Sequence, residues 1–216
     1  MARRILTLTT VTTTAALLLT ACGGGGGDKS DDIKGADTGS KSPSASAPAS
    51  SSAPSGAKRP VITLPSSFQL TFENWTSGDP VKQAVLNDAK EELRAGYAAI
   101  IADNPDSEAV AFYDTAGVVQ QTKTWIKSYT DKNLTVIGKL PAFSPRVSLA
   151  KTGAGASLSY CTDESKASTK NRKTSKVEGN PAGTNPYVLY TVSLAKSAQG
   201  VWQNSSVHSE RGGCSK

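Results

Sequence analysis

The chain changes its hydrophobic rhythm four times, and each change predicts a different kind of structure. Ile5 to Leu19 is apolar apart from its threonines, and Arg3 and Arg4 precede it. At about fifteen residues this run is shorter than the roughly 20 that a membrane-spanning helix needs, so it reads as the hydrophobic part of a secretory signal peptide. Residues 23–60 have no period at all. From Phe68 to Phe72 apolar and polar residues alternate, as in a half-buried strand. Asp79 then offers an N-cap and Pro80 suits the first helical position. Val81, Val85, Ala89, Leu93, Tyr97 and Ile101 recur every four residues up to Asn104-Pro105, predicting one long amphipathic helix. The acids Asp88, Glu91 and Glu92 fall between the stripe positions and read as a solvated face, with Glu91 and Arg94 as an i,i+3 pair.

Two further helices are expected: one over Ser107 to Asp114, the other carrying Val118, Thr122, Trp125, Ile126 and Tyr129 on one face. After Asn133 the pattern turns to strands. Leu134 to Ile137 and Val147 to Leu149 are candidates, and a third contains Ala156, Leu158 and Tyr160, joined to the second by a hairpin through Thr152-Gly153-Ala154-Gly155. Tyr187 to Leu194 and Val201 to Glu210 flank a turn at Ala198-Gln199-Gly200. The run of about 20 residues between Thr162 and Pro186 shows no clear period and reads as a loop with a short helix or ragged strand edge. Helices first and antiparallel strands afterwards predict an α+β domain over 61–216, with N-terminal helices packed on a curved antiparallel sheet.

The N-terminal region carries its own signal. Leu19-Thr20-Ala21-Cys22 is a branched apolar residue, two small ones and a cysteine, and it resembles the lipobox of bacterial lipoproteins. The resemblance implies a signal peptide over 1–21, cleavage behind Ala21, and a diacylglyceryl anchor with palmitate-like chains on Cys22. Two acyl chains hold a protein stably on a bilayer where one does so only marginally. Arg3-Arg4 leaves a twin-arginine export route open, although Ile5-Leu6-Thr7 continues it poorly. Residues 22–60 then read as a tether: 27 of the 38 residues from 23 to 60 are Gly, Ser, Pro or Ala, and Ile33 is the only larger aliphatic. Such a stretch cannot bury enough apolar surface to offset its ordering entropy, and a flexible coil of that length spans roughly 30–37 Å. Its mixed Asp and Lys residues form no polybasic patch, so the acyl group is the expected membrane contact. The expected location is the outer face of the cell membrane.

The order of elements in 61–216 is similar to the cone-shaped NTF2-like fold, including SnoaL-like proteins, and more narrowly to actinobacterial lipoproteins of that type. Phe68 to Trp75, Leu93 to Ile101, Trp125-Ile126-Lys127, Pro145 to Leu149, Tyr160-Cys161 with Asp163 to Lys166, Arg172-Lys173-Thr174 and Gly200 to Gln203 carry the resemblance. It implies a pocket lined by the inner sheet face, and a homodimer through the sheet, since related folds pair that way. It brings no activity with it.

Composition narrows the chemistry. One histidine and three cysteines rule out most side-chain clusters that hold zinc or iron, and no metal or cofactor is expected. No G-x-S-x-G, P-loop or dinucleotide fingerprint is present. With Cys22 acylated, Cys161 and Cys214 remain as an even pair in an exported protein and read as a structural disulfide closing a loop of about 54 residues. On an alternating last strand His208 shares a face with Trp202, Asn204, Ser206 and Glu210. It is either a surface histidine or, if inward beside a carboxylate, the acid–base group of a SnoaL-like small-molecule enzyme. Tyr97, Trp125, Tyr129, Tyr190 and Trp202 either pack the core or converge with His208 on a pocket. Lys166, Lys170, Arg172, Lys173 and Lys176 put five positive charges in eleven residues, a solvated loop or a patch for anionic wall polymers or lipid head groups. Nucleic acid is not expected, because no aromatics interleave the run. With no catalytic group assembled in the sequence, the leading expectation is a non-catalytic binding or interaction module at the membrane–wall interface. A small-molecule enzyme and a structural accessory of an envelope complex are the alternatives.

Overall fold

The computed structural model describes residues 56–215; the expected signal peptide, Cys22 and nearly all of the tether lie outside them. Helix α1 spans Pro80–Ala102. Asp79 caps it as the sequence suggests, its carboxylate accepting from the amides of Val81 at 2.8 Å and Lys82 at 3.1 Å. At the far end Asp103 turns left-handed (φ 57°) and donates its amide back to the last turn. The Arg172 guanidinium closes that end, donating to the carbonyl oxygens of Ile100 and Ile101 at 2.6 and 3.1 Å. Helix carbonyls at a C-terminus lack partners within the helix, and a cation there also suits the helix dipole. Short α2 (Glu108–Tyr113) and α3 (Val119–Thr130) follow.

The strands are β1 (Phe68–Phe72), β2 (Leu134–Leu149), β3 (Gly155–Asp163), β4 (Lys166–Asn171), β5 (Val177–Glu178), β6 (Tyr187–Lys196) and β7 (Trp202–Arg211). They form one sheet in the order β5-β4-β2-β3-β6-β7, with β1 added in parallel to β2. The two strands expected at 134–137 and 147–149 are one 16-residue strand. Its first half pairs with β4, and its second with β3. Within the β3 pairing the register shifts between Phe143 and Arg146, where Ser144 adopts a φ of 53°. A long strand that bends at a bulge is how a sheet curls without breaking its ladder. Gly138 serves the same end: at its φ of 92° a Cβ would lie 2.2 Å from the carbonyl oxygen of Lys166, so only glycine lets β4 approach there. The segment 162–186, expected as a loop, contributes β4 and β5. Neither shows clear alternation of apolar residues, because both lie at the sheet's polar margin.

Two apolar clusters fill the space between helices and sheet. Phe68, Leu70, Ile100, Tyr113, Ile126 and Leu140 centre one, and Trp75, Val85, Leu86, Leu158, Tyr160 and Trp202 the other. The result is the cone-shaped NTF2-like α+β arrangement, a curled antiparallel sheet with helices on its inner side. Cys161 and Cys214 form the disulfide, joining the end of β3 to the tail beyond β7. In the chain-entropy picture a loop of that length contributes about 4 kcal/mol.

Packing on the domain begins before Val61. Ala57 lies against the first cluster, and the Arg59 guanidinium reaches Asp88 on α1 at 2.6 Å. Asp88, expected on a solvated face, is 1% exposed. Its second oxygen accepts the Trp202 amide at 2.9 Å, so one carboxylate ties the incoming chain to α1 and β7. Burial raises its pKa, and the Trp202 amide and the Arg59 charge oppose that rise. Removing the cation strands a buried carboxylate. Arg59→Ala is therefore expected to lose about 2 kcal/mol in urea unfolding. Adding Asp88→Asn to it is expected to recover part of that loss, because the amide still accepts from Trp202 and needs no counter-charge.

Candidate acid–base site in the sheet cavity

A cavity of about 240 Å³ lies between the helices and the concave sheet face. Leu70, Leu93, Leu140, Val192 and Val207 supply apolar wall, and four aromatic rings form two facing pairs. Tyr97 of α1 meets Trp125 of α3 edge-on at 5.5 Å, while Tyr160 of β3 stacks on Tyr190 of β6 at 5.1 Å and 8°. Gly96 makes the first pair possible, since a Cβ there would lie 2.9 Å from the Trp125 ring. Burial raises the pKa of all three tyrosines, so their hydroxyls stay protonated and can donate.

At one end of the cavity stands Glu92, one turn along α1 from Asp88. Its nearest charged influence is Asp114, which is 2% exposed just beyond α2. A bridge between Asp114 and Asn204 of β7 fixes that junction, with the Thr115 amide donating to the Asn204 carbonyl at 2.8 Å. Burial, and then the charge of Asp114, push Glu92 up to about 8, with Asn204 opposing. Burial likewise pushes Asp114 up to about 6, while Thr122 and Asn204 stabilise its charge. Those two neighbours act from nearby without a well-formed hydrogen bond, because both Asp114 carboxylate oxygens are buried without a partner. Near neutral pH the pair therefore shares one proton. A carboxylic acid poised close to neutrality is suited both to giving and to taking a proton.

Glu164, beyond β3, raises the pKa of Tyr97, Tyr129 and Tyr190 through its charge. It pairs with Arg211 at 2.7 Å, and Arg211 also donates to the Asn185 carbonyl at 2.9 Å. Ion pair and disulfide thus fasten the same ends of β3 and β7.

Of the aromatic residues proposed for a pocket, the structure brings Tyr97, Trp125 and Tyr190 to the wall. Tyr129 packs behind, edge-on to Trp125, and Trp202 is core beside Trp75. His208 is exposed and pairs across from Thr191. The cause is a bulge. Ser193 pairs with Ser206 but Leu194 pairs with Asn204, so Ser205 is an extra residue in β7. One inserted residue reverses the facing of everything after it. Trp202 and Asn204 point inward, and then Val207 and Ser209 do, leaving His208 outside.

The basic segment is divided among several tasks. Lys166 and Lys170 lie on β4, Arg172 closes α1, Lys173 is exposed, and Lys176 pairs with Glu178 at 2.6 Å. Glu91 and Arg94 do approach, at 3.8 Å.

No family profile matches the chain, and no curated protein sequence does. Among solved structures, a ketosteroid isomerase-like protein from Erwinia carotovora atroseptica is 15% identical, covering 61% of this chain and 95% of its own, with a TM-score of 0.42. A candidate polyketide cyclase from Xanthomonas campestris pv. campestris is 12% identical, covering 57% and 89%, with a TM-score of 0.32. The intermembrane-space region of the chloroplast protein ARC6 is 7% identical, covering 58% and 92%, with a TM-score of 0.40. At these values none of them assigns an activity to this chain. The expectation of a domain without catalysis is nevertheless overturned. It rested on the lack of an acid–base group in the sequence, and the structure sets Glu92 on the cavity wall with the buried acid Asp114 behind it.

The raised acids have a pH signature. The unfolded chain ionises Glu92 near its ordinary 4.5, whereas the folded protein holds that proton to about 8. The native state then binds more protons across that window, so stability falls as pH rises through it. Thermal unfolding of wild type is expected to drop in Tm between pH 4.5 and 8. Glu92→Gln should flatten the profile and raise Tm at pH 8.

Proposed function

We propose that the domain is a small-molecule enzyme that moves a proton on an apolar substrate, with Glu92 as the acid–base group. One observation carries the reading: Glu92 lines an aromatic-walled cavity with a second, buried acid behind it, and burial together with that acid pushes its carboxyl up to about 8. In its ionised form Glu92 takes a proton from a carbon next to a carbonyl. In its neutral form it returns that proton to another carbon or to the carbonyl oxygen. The tyrosine hydroxyls are placed to donate to the oxygen on which charge develops. Asp114 is a positioning residue, since it sets the proton affinity of Glu92 without lining the cavity.

Solvent deuterium incorporation into cyclohex-3-enone, together with its isomerisation, tests this. Wild type is expected to catalyse both, and Glu92→Gln to lose about 100-fold or more. Asp114→Asn should shift the pH–rate profile toward lower pH, because it removes the charge that raises Glu92. Equal rates for wild type and Glu92→Gln would end the assignment.

The same proposal places the enzyme outside the cell, held on the membrane through Cys22 by the 22–60 tether. Leu19-Thr20-Ala21-Cys22 supports that placement. Intact mass of membrane-extracted protein should show a chain beginning at Cys22 with a diacylglyceryl-sized increment. An unmodified soluble chain cut elsewhere would overturn the anchor and leave the cavity chemistry untouched.

A further inference from the structure

The cavity end around Glu92 is rich in acceptors and holds no cation. Its wall includes no Lys, Arg or His, although the chain as a whole has a net charge of +6. Asn204 lines the cavity at 3% exposure, and its Oδ1 is buried without a partner. Thr162 lines the cavity toward the Glu164–Arg211 end, beside Tyr190. Buried acceptors left without donors are costly, and a ligand that brings donors recovers that cost. The adjoining walls are the Tyr97–Trp125 and Tyr160–Tyr190 pairs, whose ring faces attract a cation. At about 240 Å³ the space falls below the roughly 300–1,000 Å³ of drug-sized sites, so the ligand is small.

We propose that this cavity takes a small organic cation, an arylalkyl amine in its ammonium form. The ammonium sits between Glu92 and the Asn204 Oδ1, and the aryl part lies against the aromatic pairs. The proposal rests on the reading of Glu92 as a titrating acid of the cavity and names the class of ligand that its ionised form takes. An ammonium offers three donors, enough for the Glu92 carboxylate and the unpartnered Asn204 Oδ1. Binding exchanges one proton: the Glu92 carboxyl releases its proton to solvent and becomes the carboxylate that pairs with the ligand. The groups facing Glu92 are Asp114 beyond α2, Asn204 on β7, and Tyr160 on β3 with Tyr190 on β6 beside it. Tyr97 of α1 and Tyr129 of α3 lie toward the Glu164–Arg211 end. Of these only Asp114 changes charge in the same range as Glu92, and its ionised form favours the cation too.

Titration calorimetry of the mature chain with phenethylamine, 2-phenylethanol and phenylacetate tests the class, in two buffers of different ionisation enthalpy. Phenethylamine is expected to bind about tenfold or more tightly than the alcohol, with phenylacetate weakest. Its affinity should rise about tenfold or more from pH 6.5 to 8.5, with release of a proton near pH 7, as Glu92 gives up its proton. Glu92→Gln should abolish the pH dependence and the preference for amine. Alcohol or carboxylate binding as well as the amine, or an unchanged preference in Glu92→Gln, overturns the proposal. If the amine class fails while Glu92-dependent deuterium exchange persists, the acid–base reading stands alone. If the amine binds in a Glu92-dependent way without any exchange or isomerisation, the cation class stands and the catalytic reading falls.

Discussion

Two carboxyl groups one turn apart on the buried side of α1 set the terms for the rest of the molecule. A charge taken out of water must find a partner or give up its charge. Asp88 does the first: it pairs with Arg59 and accepts the Trp202 amide, which oppose the rise that burial causes, and that contact joins the incoming chain, α1 and β7. Glu92 does the second. With Asp114 as its charged neighbour and no cation on the wall, it keeps its proton. The first acid is a structural clasp, and the second is a chemical group.

The architecture around them follows from curling the sheet. The bend of β2 at Ser144-Pro145, the close approach allowed by Gly138 and the parallel addition of β1 wrap the strands around the helices. Between helices and sheet a cavity remains, walled by the edge-on Tyr97–Trp125 pair on the helices and the stacked Tyr160–Tyr190 pair on the sheet. Acids facing such a space lower native stability at neutral pH, as functional sites commonly do.

Much of the fold was legible because it is written in repeats. The four-residue stripe of α1, the Asp79-Pro80 start, and the alternation in β1, β3 and β6 are local patterns with local causes. The disulfide was legible from compartment and count. The site was not, for two physical reasons. Asp88 and Glu92 read as a wet face because hydrophobic spacing classifies acids as exposed. Their alignment with Ala95, Gly96 and Ala99, all buried and small, was the available sign that this side of the helix packs closely. Alternation puts His208 on the face of Trp202 and Asn204 because period-two counting carries no record of an inserted residue, and Ser205 is flanked by serine and asparagine that mark no break.

That inserted residue makes the facing of the last strand a property of the ladder as much as of the sequence. An unbroken alternation from Trp202 and Asn204 would carry Ser206, His208 and Glu210 inward. With Ser205 left over, Val207 and Ser209 take the inner places and the imidazole stays in solvent. Deleting Ser205 would keep that facing, because Asn204 and Ser206 already pair with the consecutive residues Leu194 and Ser193. The strand thus holds a second set of side chains in the spacing of an inner lining, and smoothing the bulge, with no residue changed, is what would present it.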